Sequence, residues 1–275
     1  MLIFPAIDPV AFSIGPLNVR WYGLMYVFGF LAAWLLGRRR AARRKELGGP
    51  FTPQQFDDIL VWSLVGVIVG ARLGYVLFYN LPFYLDNPLD VISVWQGGMS
   101  FHGGLIGVIL AQWLSGRRHQ ADFMRTMDFI APLVPPGLFF GRLGNFINAE
   151  LWGRPTDLPW GMIFPGPEAG PLPRHPSQLY EAGLEGLALF LILWFYSARP
   201  RQAKRAGAVS GLFLVGYGCF RFMVEFAREP DAHLGYLAGG WLTMGMLLCL
   251  PMLALGVFLL WRACRRAPSP PRRPA

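Results

Sequence analysis

The arrangement of apolar runs and basic clusters constrains this chain more than any other feature. Hydrophobic stretches cover residues 19–36, 56–79, 99–114, 123–147, 177–196, 209–226 and 240–261. Most are close to the ~20 residues a helix needs to cross the ~30 Å hydrocarbon core of a bilayer. Basic residues gather after the first run (Arg38, Arg39, Arg40, Arg43, Arg44, Lys45), the third (Arg117, Arg118), the fifth (Arg199, Arg201, Lys204, Arg205) and the seventh (Arg262, Arg265, Arg266). The intervening loops are poor in Lys and Arg. Basic loops stay in the cytoplasm, so the pattern predicts an all-α polytopic membrane protein with seven transmembrane helices, N-out and C-in. The composition agrees: 54% of the 275 residues are hydrophobic, 15% are charged, and the mean hydropathy is +0.38.

The expected layout has four parts. Residues 1–149 hold helices one to four behind an interfacial N-terminal segment, which Pro5, Pro9 and Pro16 keep from spanning. Residues 150–176, rich in Pro and Gly, form a small periplasmic cap. Residues 177–262 hold helices five to seven, and residues 263–275 are a disordered basic cytoplasmic tail. Pro132, Pro135 and Pro136 predict a kink in the fourth span. The start lacks a basic segment and does not read as a cleavable signal peptide. A net charge of +9 would suggest nucleic acid in a soluble protein. Here the charge lies in orienting clusters, so lipid and not nucleic acid is the expected partner. Cys219, Cys249 and Cys264 have no metal spacing and read as small buried hydrophobes. No metal or cofactor is expected, and no nucleophile elbow or phosphate-binding loop is present.

Polar residues inside the apolar runs then become the candidates. Residues 141–154, GRLGNFINAELWGR, place Arg142, Asn145, Asn148, Glu150 and Arg154 beside Gly141, Gly144 and Gly153, where a span should leave the membrane. A charge at a helix centre costs about 2.5–3.5 kcal/mol on insertion scales, so such residues signal function. Tyr217, Arg221 and Glu225 are spaced by four and share one helix face, with Arg228 continuing that side. Arg72 lies in the second span. A buried Arg221–Glu225 pair that only ties helices together is the plainer alternative. Three arginines at apolar positions read better as a clamp for an anionic headgroup. His102, flanked by Gly103 and Gly104, is a candidate general base. Glu181, in the first turn of the fifth span, is a candidate orienting partner for a nearby arginine, and Tyr22 a candidate headgroup contact. His119 and His233 read as bystanders and His175 as structural. These residues fit a phospholipid flippase or lipid-anion transporter as well as an enzyme.

The long motif, with SFHGG (100–104), RWYGLMY (20–26), RHPSQLYE (174–181) and YGCFRFMVEFAREPD (217–231), resembles the bacterial phosphatidylglycerol–prolipoprotein diacylglyceryl transferases along nearly the whole chain. The resemblance implies a seven-span inner-membrane enzyme with its active site toward the periplasmic leaflet. Such an enzyme moves diacylglycerol from phosphatidylglycerol to the lipobox cysteine of a preprolipoprotein and releases glycerol phosphate. By resemblance Arg142 and Arg221 match the essential arginines and His102 the histidine. Asn145, Glu150 and Gly153 match signature positions, and Tyr22, Tyr217 and Glu225 further functional ones. Ala149 stands where that signature is expected to carry glycine, and the cap is short for the family.

Overall fold

The computed structural model describes residues 2–47, 49–200, 205–230 and 235–265. Arg201, Lys204, His233 and the tail from Arg266 onward lie outside the described residues. Within them the protein is mostly helical: α1 Trp21–Ala42, α2 Arg44–Leu47, α3 Pro53–Phe78, α4 Leu81–Asp86, α5 Phe101–Arg118, α6 Phe123–Ile130, α7 Val134–Ile147, α8 Ser177–Ser197, α9 Ala208–Glu225 and α10 Met244–Arg265. Four of them, α3, α8, α9 and α10, are long and apolar enough to cross a membrane.

Local chemistry sets the helix ends. Thr52 accepts from the Gln55 amide while Gln55 reaches back to the Thr52 amide, a reciprocal cap at the start of α3. Ser100 accepts from the Gly103 amide at the start of α5. The buried carboxylate of Asp128 accepts from the amides of Gly207 and Ser210 and from the Ser210 hydroxyl, capping α9 from a distant part of the sequence. The prolines of the fourth run act as expected. Pro132 sits in a 3₁₀ turn, Ala131–Leu133, that separates α6 from α7, and Pro135 and Pro136 fall in the first turn of α7, where missing amides cost nothing.

The N-terminal segment holds short strands. Strands β2 (Val10–Ile14) and β3 (Leu17–Arg20) form an antiparallel hairpin turned at Gly15, whose φ is +58°. Proline breaks a helix but is tolerated in such a turn. Strand β1 (Leu2–Ile3) pairs in parallel with β4 (Met162–Ile163) of the cap. Phe4, Met162, Phe164 and Ala169 form a small buried cluster there, flanked by Phe146 and Trp152. The cysteines depart in part from the expected burial: Cys249 is buried, whereas Cys219 and Cys264 are exposed.

The chain forms two compact units, Met1–Leu36 with Asp128–Ala275, and Gly37–Met127. In the second, α3 and α5 pack on small residues. A Cβ on Gly74 would stand 2.7 Å from the Gly103 Cα, and one on Gly70 would stand 2.7 Å from the Gly107 Cα. Small residues at every fourth position let membrane helices approach backbone to backbone. Val61, Trp62, Val65 and Val69 of α3 are exposed apolar surface suited to lipid. In the first unit, Leu189 and Leu193 of α8 and Val209 of α9 are fully buried with Ala131. That core fixes α8 and α9 side by side and so sets where their polar residues meet.

Candidate active site

Glu181 is the centre of the site. It ends the first α-helical stretch of α8, Ser177–Glu181, before the helix widens into a π-turn over Ala182–Ala188, and it is fully buried. One carboxylate oxygen, Oε2, lies 2.5 Å from Arg142 Nε of α7 and 3.9 Å from Arg221 Nη1 of α9. The other, Oε1, accepts from Arg228 Nη1 at 2.6 Å. Three guanidiniums from different parts of the chain therefore converge on one side chain. A second carboxylate, Glu225, lies 2.9 Å from Arg221 Nη2 and 3.3 Å from Arg228 Nε, and accepts from the Thr243 hydroxyl. Gly245 leaves the space that Glu225 occupies: a Cβ there would stand 2.6 Å from Glu225 Oε1.

The signature segment continues from Arg142, whose Nη1 lies 3.5 Å from Asn145 Oδ1. Asn145 Nδ2 donates to Glu150 Oε1 at 2.7 Å, and Asn148 makes a longer contact, 3.5 Å, with the same oxygen. Gln178 of α8 donates to the Glu150 carbonyl. The chain then turns sharply, with Ala149 at φ +54° and Leu151 at φ +59°. The left-handed region favours glycine over alanine, which gives a physical reason for the glycine expected at position 149. Tyr22 of α1 bonds Tyr26 through its hydroxyl, and its ring lies against Gly144, where a Cβ would meet Tyr22 Cδ2 at 3.0 Å. Tyr217 stacks on Phe213 at 5.9 Å and has Arg142, Glu181 and Arg221 within electrostatic reach.

Other candidates take different roles. Gly153, expected at the headgroup, has its amide bonded to the His175 carbonyl, and a Cβ there would run into the Ala227 carbonyl and stand 2.8 Å from His175 Cβ. It is the seam where the cap passes between residues 175 and 227. Arg72, expected in the clamp, lies in the other unit, and its donors go to the carbonyls of Val91, Asp90, Gly97 and Gly98, with Tyr84 beneath the guanidinium at 5.1 Å. Those contacts buckle residues 90–98 to α3. His102, in the same unit, is exposed in the first turn of α5, with an edge contact to the Phe101 ring. His175 faces the Tyr180 hydroxyl at 3.1 Å, and its pKa is lowered first by burial and then by Arg154. Among the described residues no three His, Cys, Asp or Glu side chains cluster to hold a metal ion.

Residues 9–262 match the family model for prolipoprotein diacylglyceryl transferase. The chain belongs to that family. It is 61% identical over 260 residues to the phosphatidylglycerol–prolipoprotein diacylglyceryl transferase of Nitratidesulfovibrio vulgaris (strain DP4), covering 94% of this chain and 96% of that protein. It is 60% identical over 269 residues to the enzyme of the same name from Solidesulfovibrio magneticus (strain ATCC 700980 / DSM 13731 / RS-1), covering 98% of each. The protein so named from Pseudomonas paraeruginosa (strain DSM 24068 / PA7) is 57% identical over 272 residues, covering 99% of each.

Within this prolipoprotein diacylglyceryl transferase fold, further residues complete the cluster. Arg228 shares both carboxylates with Arg221. Arg154 clamps the end of α9, donating from Nε to the Arg228 carbonyl and from Nη2 to the Glu225 carbonyl, with Tyr236 against its plane. Thr243 anchors Glu225. The arrangement presents guanidiniums held rigidly by buried carboxylates, which is what binding and transition-state stabilisation of a phosphate require.

Proposed function

We propose that this protein transfers the diacylglyceryl group of phosphatidylglycerol to the lipobox cysteine of a preprolipoprotein, forming a thioether and releasing glycerol phosphate. The observation that carries the reading is the convergence of Arg142 and Arg221 on Glu181 in a chain of this family. Arg142 and Arg221 grip the phosphodiester. The cysteine thiolate attacks the glycerol carbon bonded to the phosphate oxygen; the carbon–oxygen bond breaks and both electrons leave with the phosphate. Charge builds on that phosphate, and fixed guanidiniums stabilise it more than they stabilise the bound diester. Glu181 and Glu225 hold the arginines at the required angle. A base must take the thiol proton, since a free cysteine thiol with pKa ~8.5 is mostly neutral at pH 7; His102 is the candidate for it by motif alone. Asn145 and Glu150 keep the signature segment folded beside Arg142, and Tyr22 and Tyr217 line the approach.

The membrane arrangement supports this reading. Helices α1 and α5 hold 22 and 18 residues and, like α10, carry arginines in their last turn. With the α6–α7 pair and α3, α8, α9 and α10, they support our reading of seven spans, N-out and C-in, in a bacterial inner membrane. The capped face with the site is then periplasmic. The test is direct. Detergent-solubilised protein, phosphatidylglycerol and a synthetic lipobox peptide should give a thioether-linked peptide, heavier by one diacylglyceryl group by mass spectrometry, and Arg142→Ala should abolish it. Lipid movement between leaflets without a modified peptide would favour a flippase instead.

A further inference from the structure

One charged residue in the core of the site has no assigned role. Glu185 follows Glu181 by one turn in the π-turn of α8, is fully buried, and neither of its carboxylate oxygens has a hydrogen-bond partner in the protein. The groups within electrostatic reach of it are Glu181 on its own helix, Arg142 on α7, Tyr217 and Arg221 on α9, Arg228 just beyond α9, and Cys249 on α10. An insertion that widens a helix into a π-turn costs hydrogen-bond geometry and recurs at functional sites. A buried carboxylate without a hydrogen bond is costly when ionised.

The charges suggest what this side chain does. Arg142, Arg221 and Arg228 face Glu181, Glu225 and Glu185, so with every group ionised the cluster is neutral and has no net attraction for an anion. Arg154 and Glu150, the next charges outward, offset one another. One proton on Glu185 leaves a single positive charge, the complement of a phosphodiester monoanion. We propose that Glu185 is the proton-carrying residue of this site: it takes up a proton as the lipid phosphate enters and surrenders it to the glycerol phosphate that leaves. This inference rests on the transferase reading above. The balance closes. Lipid binding is accompanied by protonation of the Glu185 carboxylate. Thiolate displacement then breaks the carbon–oxygen bond and yields a phosphate dianion, which accepts the Glu185 proton and departs as a monoanion. The proton lost by the thiol replaces the one consumed. Glu185 lies within electrostatic reach of the arginines, so its protonation sets the net charge of the clamp.

The test is a binding measurement separate from catalysis. Full-length protein in mixed micelles is titrated with phosphatidylglycerol between pH 6 and pH 9, and Kd is read from the lipid-dependent shift in melting temperature. Phosphatidylcholine, which has no net charge, is the control lipid. For wild type, Kd should rise with pH by up to tenfold per unit, the limit for one linked proton. Glu185→Gln, neutral at every pH and similar in shape, should bind at high pH as tightly as wild type does at low pH, with a flat profile. Glu185→Ala should also be flat, and lipid-free melting shows that each variant is folded. A pH slope retained in both variants, or a flat wild-type profile, overturns the proposal. Absence of peptide lipidation by wild type would instead sink the transferase reading.

Discussion

Arg142 Nε lies 2.5 Å from Glu181 Oε2, joining a residue of the signature segment to one at the start of the next long helix. The pair is more than a tie between helices. The same carboxylate also meets Arg228 at 2.6 Å and Arg221 at 3.9 Å, so its removal releases three cations at once.

Glu181→Gln is therefore expected to lower peptide lipidation by at least ~10²-fold, the range seen when a rigid electrostatic stabiliser is lost. Breaking a buried pair from one side costs about 3–5 kcal/mol, so the melting temperature should fall as well. Glu181→Asp should recover part of both. Initial rates and thermal melts in detergent are the measurements; wild-type rates in Glu181→Gln would remove Glu181 from the site.

Arg72 is expected to behave as a structural residue. Hydrogen bonds to a charged group contribute about 1.5–3 kcal/mol each, and Arg72 makes four. Arg72→Leu should lower the melting temperature sharply and expose residues 90–98 to proteolysis. The KM for phosphatidylglycerol of the protein that remains folded should stay within twofold of wild type. A raised KM with unchanged melting would return Arg72 to the lipid.

Ala149→Gly should stabilise the protein by about 1 kcal/mol, because the left-handed backbone costs a residue with Cβ roughly 1–2 kcal/mol and glycine's extra unfolded-state freedom takes back part. A melting temperature a few degrees higher, with the lipidation rate retained, is the expected outcome. An unchanged or lower melting temperature would mean that the turn relaxes without strain.

His175 gives the cap a pH dependence. Burial, and then Arg154, lower its pKa below the ordinary 6.5. The folded protein thus resists a proton that the unfolded chain accepts. The stability linked to this group is complete above about pH 6.5 and declines as pH falls through the lowered folded value. His175→Gln should flatten that part of the melting-temperature profile between pH 5 and pH 8. Parallel profiles for variant and wild type would show that His175 does not contribute.

Charge within apolar sequence made half of the site legible. Arg142, Arg221 and Glu225 stand out because a bilayer tolerates such residues only with partners, and Glu181 because it is an acid in the first turn of a span. The same signal marked Arg72, but a sequence does not show that four carbonyls of a later loop receive its donors. Glu185 carried the same mark, an acid inside AGLEGLALF, and passed unnoticed because only its neighbour belonged to a motif. Arg228 was legible only as a continuation of the Arg221 side, because past the end of a span an arginine looks ordinary. Helix positions followed from hydropathy to within a few residues. The hairpin of residues 10–20 did not, because its strands are short and its turn is made of the residues that elsewhere signal irregular chain.

The pairing of Leu2–Ile3 with Met162–Ile163 has a consequence for biogenesis. Those two edges cannot meet until the ribosome has completed α7 and the insertion machinery has delivered the cap to the same side. The opening stretch must stay unzipped through that interval, with Phe4 lacking the neighbours that later cover it. That face is thus fastened late, and a nascent chain stalled before residue 162 would leave greasy residues for quality-control proteases to recognise.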